Sequence, residues 1–316
     1  MELVTIDDIR TAARQVASHV VRTPLLEASW GDPDRPLWVK PESLQPIGAF
    51  KVRGAFNAIG ALIAGSDPVS GVVAYSSGNH AQAVAYAAAV YGLPAHIVMP
   101  EETPAVKIDA TRRHGARVVL CAAGQREIVA EQVAAETGAV MIPPFDHPRV
   151  IAGQGTIGLE IAEDLPEVRS VFVPVSGGGL ASGIGTAIKA LCPRAVVIGV
   201  EPELAADTAE GLAQGRRVDW PITDRNRTIA DGLRSQPSEL TFAHLQNVLD
   251  EIVTVSEAEI RSGVRELAFR ARLVAEPSGA VALAGYRKVA APAGPAVVIL
   301  SGGNVAPEML GQILSG

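Results

Sequence analysis

The 316-residue sequence predicts an α/β protein of open, twisted, mostly parallel sheets arranged in two domains. Three observations predict it. Short Val/Ile-rich runs recur without polar alternation, as in strands covered on both faces. Ala-rich stretches of helical length separate them, and such alternation gives parallel strands joined by right-handed crossovers. Glycine and proline punctuate the joins.

In order, GVVAY (71–75) reads as a strand and NHAQAVAYAAAVYG (79–92) as a helix stopped by Gly92 and Pro94. AHIVM is the next strand, followed by TPAVKIDATRRHG as a helix with proline near its start. ARVVLC is a strand, REIVAEQVAAETG a helix ending in glycine, and AVMI another strand. Beyond the proline-rich PPFDHP (143–148), GTIGLEIAEDL is helical, VFVPV a strand, LASGIGTAIKAL a helix and AVVIGV a strand. AVVIL, ending at Ser301, is the last strand, and residues 202–250 show few clear periods. Two compositional breaks, 61–70 and PPFDHP, bracket residues 71–146 as a small domain, leaving 1–70 and 147–316 to form the larger one.

With 27 basic and 34 acidic residues the net charge is −7, and no basic block stands out, which argues against a nucleic-acid partner. The N-terminus MELVTIDDIRTAARQV has no signal-peptide core, and no apolar stretch approaches the roughly 20 residues of a membrane span. A soluble cytoplasmic protein is expected. Cys121 and Cys192 lie far apart, outside any CxxC or Cys/His cluster, and read as free thiols in a reducing compartment rather than as zinc ligands.

Ligands of parallel sheets bind at the carboxyl ends of strands, and three such ends here carry Gly, Ser and Asn. After VFVPV come Ser176, Gly177, Gly178 and Gly179, then a helix. Consecutive glycines turn backbone N–H groups around an anion, and the helix start favours negative charge. No GK[ST] follows and the dinucleotide fingerprint is absent, so the turn is either a phosphate cradle or a plain tight turn. After GVVAY, the residues Ser76, Ser77, Gly78, Asn79 and His80 suit a carboxylate at a helix N-terminus, or simply cap the helix. After AVVIL, the Ser301 hydroxyl could meet a ligand heteroatom or belong to an ordinary turn. A fourth element is Lys51, between Phe50 and Val52 at the start of an apolar helical stretch. Buried there, its amine would be partly neutral, as Schiff-base chemistry requires; snorkelling to the surface is the alternative.

The stretches KPESLQPIGAFKVRGA, SSGNHAQAVAYAA, VIAGQGTIGLEI, VPVSGGGLASGI, GVEPELAAD, TIADGL, EPSGA and ILSGGN run from about residue 40 to 304. Taken in order, they resemble the serine/threonine dehydratase family of fold-type II pyridoxal-phosphate enzymes, which includes serine racemase. The resemblance implies an active site between two sheet domains and pyridoxal phosphate held by Lys51 as a Schiff base. It implies Phe50 beside the cofactor ring, Asn79 at its phenolic oxygen and Ser301 at its pyridine nitrogen. It implies too that the backbone from Ser176 through Gly177, Gly178, Gly179 and Leu180 holds the phosphate. A neutral serine at the ring nitrogen biases the cofactor toward β-elimination. Ser76 to His80 match the substrate-carboxylate loop, and Arg126 falls where serine racemase has an arginine reaching toward the substrate. Glu201, Asp207 and the backbone oxygen of Ala205 match a divalent-cation site whose oxygen ligands suit Mg²⁺ or Ca²⁺; two surface acids beside a turn are the alternative.

A small amino-acid substrate is implied, and a homo-oligomer, dimer or tetramer. The chain stops soon after SGGNV, so isoleucine feedback through a C-terminal effector domain is not expected. The implied reaction is β-elimination from L-threonine, L-serine or a related β-hydroxy amino acid, giving a 2-oxo acid and ammonia. Ser77 keeps racemisation open, since many dedicated threonine dehydratases have alanine there and racemases use serine as the second acid/base. A non-catalytic binding protein would not need Lys51, Asn79 and Ser301 together.

Overall fold

In the computed structural model, which describes residues 2–316, the chain opens with helix α1 (Ile6–Val16), started by a capping box between Thr5 and Asp8. β1 (Leu26–Asp32) and β2 (Arg35–Pro41) pair as an antiparallel hairpin. Helix α2 (Lys51–Ile63) begins at Lys51 itself. Then come β3 (Val72–Tyr75), α3 (Asn79–Val90), β4 (Ala95–Pro100), α4 (Ala105–Arg113), β5 (Arg117–Cys121), α5 (Arg126–Thr137) and β6 (Val140–Met141). The four strands form a wholly parallel sheet in the order β5-β4-β3-β6.

Onward run α6 (Pro148–Asp164), β7 (Ser170–Pro174), α7 (Gly179–Leu191), β8 (Val196–Pro202), α8 (Asp207–Gln214), α9 (Ile222–Arg225) and α10 (Glu239–Val248). The chain closes with β9 (Glu251–Val255), α11 (Glu257–Glu266), α12 (Pro277–Lys288), β10 (Ala296–Leu300) and α13 (Pro307–Ser315). A six-stranded sheet of order β1-β2-β10-β7-β8-β9 results, parallel except for the β1–β2 hairpin.

The fold class is the one expected, with two differences of detail. β1, β2 and β9 have no counterpart in the strand reading. LEASWGD mixes polar and apolar residues because β1 is a sheet edge, and RPLWVKP beside it carries Lys40, fully buried and paired with Glu160 at 2.6 Å, so neither shows an unbroken Val/Ile run. Helix α6 starts at Pro148 rather than at Gly155. Its glycines lower helix propensity, but packing needs them. A Cβ on Gly153 would lie 2.7 Å from the Arg53 carbonyl oxygen of α2, and one on Gly183 of α7 would lie 2.3 Å from the Ile151 oxygen of α6. Three helix backbones therefore nearly touch, which sets the Lys51 end of α2 beside the start of α7. Alanine does the equivalent in α3, where Ala81, Ala83, Ala85, Ala87 and Ala88 are fully buried between β-sheet and α2. No described helix is long and apolar enough to cross a membrane.

Candidate active site

Both sheets present strand ends to a shared cavity of about 240 Å³. Lys51, the first residue of α2, points into it. Its turn is tied to the end of β10 by a hydrogen bond from Phe50 N to Ser301 O of 3.0 Å. The ammonium donates to Pro144 O at 2.7 Å and lies 5.1 Å from the Phe50 ring centroid. Burial pushes the amine down to about 8, so a neutral fraction exists near neutral pH. The snorkelling alternative is set aside.

Across the cavity, β7 runs into the glycine turn. Ser176 Oγ donates to Ser235 O and accepts from Ser235 N, both at 2.9 Å, which pins the turn to the 231–235 loop. Gly178 has φ 88°, the left-handed region, and a Cβ there would sit 2.8 Å from Thr241 Cβ. At Gly177 a Cβ would sit 2.3 Å from the Phe145 ring. Gly179 and Leu180 begin α7. The turn is a concavity that any side chain would fill, at a helix N-terminus, and it fits an anionic group such as a phosphate.

From β3, Ser76, Ser77 and Gly78 line the cavity, half-buried, and Asn79 opens α3. Gly78 N donates to Ser76 Oγ at 3.2 Å. His80 is buried, with Nε2 2.8 Å from the Ile142 carbonyl. A carbonyl only accepts, so Nε2 carries a proton. Burial, and then Lys51, pushes the ring down to about 3. The native state therefore resists protonation where an unfolded histidine, near 6.5, accepts it, and stability present above that value is lost as pH falls toward 3. Lowering the pH from 7 to 4.5 should cost the unloaded wild type about 3 kcal/mol more than His80→Gln, at ~1.4 kcal/mol per unit. Urea unfolding at both pH values measures the difference, and equal losses would contradict it.

Ser301 is buried at the end of β10, its Oγ 3.5 Å from Ser278 O, so the hydroxyl is only weakly engaged. Arg126 also lines the cavity, its guanidinium 5.8 Å from the Tyr75 ring and 3.9 Å from the Glu127 carboxylate. Glu201, near the end of β8, and Ala205 and Asp207, just after it, lie outside the cavity. Glu201 is fully buried and Asp207 is 3% exposed, so they are not surface acids. Glu201 accepts from Thr208 N (3.3 Å) and Ala209 N (2.8 Å), while Asp207 Oδ2 is buried and finds no partner among the described residues. Burial, then the Asp207 charge, pushes Glu201 up to about 8; burial pushes Asp207 up to about 6. Among the described residues no three His, Cys, Asp or Glu side chains gather as a metal cluster.

Several cavity residues escaped sequence reasoning. Pro144 and Phe145 lie in PPFDHP, a stretch that shows in composition only as a break. It follows the parallel strand β6, and its place at a carboxyl end was the available signal. Lys107 donates to Asp231 at 2.8 Å, joining α4 to the loop before α10 beside the cavity. Glu276 lines the wall and accepts from Asn79 Nδ2 at 2.7 Å.

Two parallel sheets meeting over one amine and one anion cradle, with no nucleotide fingerprint, make the class that of a pyridoxal-phosphate enzyme. The family described as "Pyridoxal-phosphate dependent enzyme" matches residues 16–302, and the chain belongs to it. It is 41% identical to the L-threonine ammonia-lyase of Thermotoga maritima, over 99% of this chain and 79% of that protein. It is 39% identical to the L-threo-3-hydroxyaspartate ammonia-lyase of Saccharomyces cerevisiae, over 100% and 98%. The structure of maize serine racemase superposes with a TM-score of 0.93 at 38% identity, covering 99% of this chain and 98% of that one.

Proposed function

We propose that the protein is a pyridoxal-phosphate-dependent ammonia-lyase that removes the β-hydroxyl and amino groups of L-threonine, L-serine or a related β-hydroxy amino acid. The products are a 2-oxo acid and ammonia. The observation that carries this reading is the opening of Lys51 and the 176–180 turn into one cavity. Bound pyridoxal phosphate supplies electron withdrawal that makes the substrate's α-proton acidic. Lys51 would hold the cofactor covalently, Asn79 would meet its phenolic oxygen, Ser301 its ring nitrogen and Ser176 to Leu180 its phosphate, with Phe50 beside the ring. Ser76, Ser77, Gly78, Asn79 and His80 bind the substrate carboxylate at the start of α3, and Arg126 faces the substrate's far end. Held this way, the α-hydrogen faces Lys51, whose burial-lowered basicity lets it take and return a proton near neutral pH. The test is release of 2-oxo acid from a panel of β-hydroxy amino acids with chiral analysis of what remains. No 2-oxo acid from any of them would refute the reading.

Racemisation is a second reading, favoured by Ser77 lining the same cavity as Lys51. If Ser77 is the second acid/base, Ser77→Ala lowers turnover of D-serine by about 100-fold or more while L-serine elimination persists, since a positioned acid/base contributes about 10²–10⁴. Unchanged D-serine turnover would remove Ser77 from that role.

Glu201, Asp207 and the Ala205 carbonyl are read as a Mg²⁺ or Ca²⁺ site, supported by the unpartnered Asp207 oxygen beside a second buried acid. Either ion should raise the melting temperature, as any ligand of the native state does. Glu201→Gln should abolish that rise; a rise that survives the substitution would place the ion elsewhere. Assembly as a dimer or tetramer, and residence in a reducing cytoplasm suited to the free, buried Cys121 and Cys192, complete the reading.

A further inference from the structure

An asparagine amide can sit either way round, and its neighbours decide. Asn304 Nδ2 donates to the Ile47 carbonyl at 2.8 Å, and a carbonyl can only accept. That fixes Asn304, whose Nδ2 gives its other hydrogen to Asn79 Oδ1, also at 2.8 Å. The Asn79 nitrogen must then face away, and it donates to Glu276 Oε1 at 2.7 Å. One of its two hydrogens is left for a ligand in the cavity.

Glu276 is built into this place. It is 6% exposed, and its backbone N donates to Gly302 O at 3.1 Å. A Cβ on Gly302 would lie 2.2 Å from Glu276 Oε1, so only glycine there leaves room for the carboxyl to reach Asn79.

We propose that Glu276 is a positioning residue: by accepting one hydrogen of Asn79 while Asn304 holds the amide oxygen, it aims the other hydrogen at the phenolic oxygen of the cofactor. This rests on the reading that Asn79 makes that contact. The charge state of Glu276 agrees with it. Burial, then the Asp231 carboxylate, pushes the group up to about 8, with the Asn79 bond and Lys107 opposing. Near neutral pH it is uncharged and adds no negative charge beside an oxygen that carries its own.

Glu276→Ala and Glu276→Gln separate positioning from charge and bulk, since glutamine keeps an acceptor oxygen. In cofactor-free full-length protein, the Asn79 side-chain amide protons, assigned by their loss in Asn79→Asp, are read by NMR. They should be slow to exchange in the wild type and in Glu276→Gln, and fast in Glu276→Ala. In the loaded protein, Glu276→Ala should shift absorbance from the visible to the near-ultraviolet band, because a donated hydrogen stabilises the longer-wavelength form. It should also lower kcat about tenfold with KM nearly unchanged, the effect of one misplaced hydrogen bond. Glu276→Gln should restore the spectrum.

Asn79 protons indifferent to Glu276→Ala would overturn the proposal and leave the site reading intact. Protons that respond under an unchanged loaded spectrum would show that Asn79 does not touch the ring oxygen, which overturns that reading and the positioning role with it. Glutamine as damaging as alanine would also overturn it, since charge rather than an acceptor would then matter.

Discussion

Lys51→Ala is expected to lose the visible absorbance of the bound cofactor and about four orders of magnitude of turnover, the upper range for a positioned base. Both losses share a cause. On the proposed reading the amine is both the covalent anchor of the cofactor and the acceptor of the α-proton, and the other lysine at the cavity, Lys107, is paired with Asp231. Lys51→Arg should be as inactive, because a guanidinium stays protonated and cannot form an imine. The unsubstituted protein gives a finer test. Capture of added pyridoxal phosphate needs the neutral amine, whose fraction grows about tenfold per pH unit below its pKa. With that amine lowered to about 8, the capture rate should climb up to that pH and level off above it. The ammonium must also leave the Pro144 carbonyl, and losing its proton weakens that bond. Wild-type turnover in Lys51→Ala would end the assignment.

Gly178→Val should weaken cofactor binding by about two decades or more. A β-branched residue at φ 88° is strained, and its Cβ would press on Thr241 Cβ, 2.8 Å away. The turn must shift, and with it the N–H groups proposed to face the phosphate. Each such bond to a charged group is worth about 1.5–3 kcal/mol, and ~1.4 kcal/mol is a factor of ten. Gly215→Val is the control: φ is 69° and nothing lies within 4 Å of a Cβ there, so it carries a similar backbone strain at a residue that does not line the cavity. A fluorescence titration with pyridoxal phosphate should separate the two. Equal affinity in both variants would mean that the 176–180 turn is not the phosphate site.

The local parts of the site were legible in the chain. The glycine turn after β7, the Ser/Asn loop before α3 and the lysine opening α2 each announce themselves within a few residues, through a strand end, a glycine run or an apolar neighbour. Period and punctuation are short-range properties of the backbone, so they survive without coordinates. The edge strands β1 and β9, and β2 beside β1, were illegible for a related reason, since their pattern depends on which neighbours the sheet gives each side.

By itself, the sequence determined a parallel α/β protein with a lysine opening a helix and a glycine turn at a strand end, and its motif order pointed to the family. Tertiary structure alone decided which groups meet. Lys51 and the Pro144 carbonyl are 93 residues apart, and Asn79 and Glu276 are 197 apart. Those contacts, the buried setting of Lys51, and the distinction between buried and surface acids at Glu201 and Asp207 depend on how distant segments pack and how much water they exclude. No local spacing encodes that, because a proton's affinity and a hydrogen bond's direction are set by neighbours in space rather than along the chain.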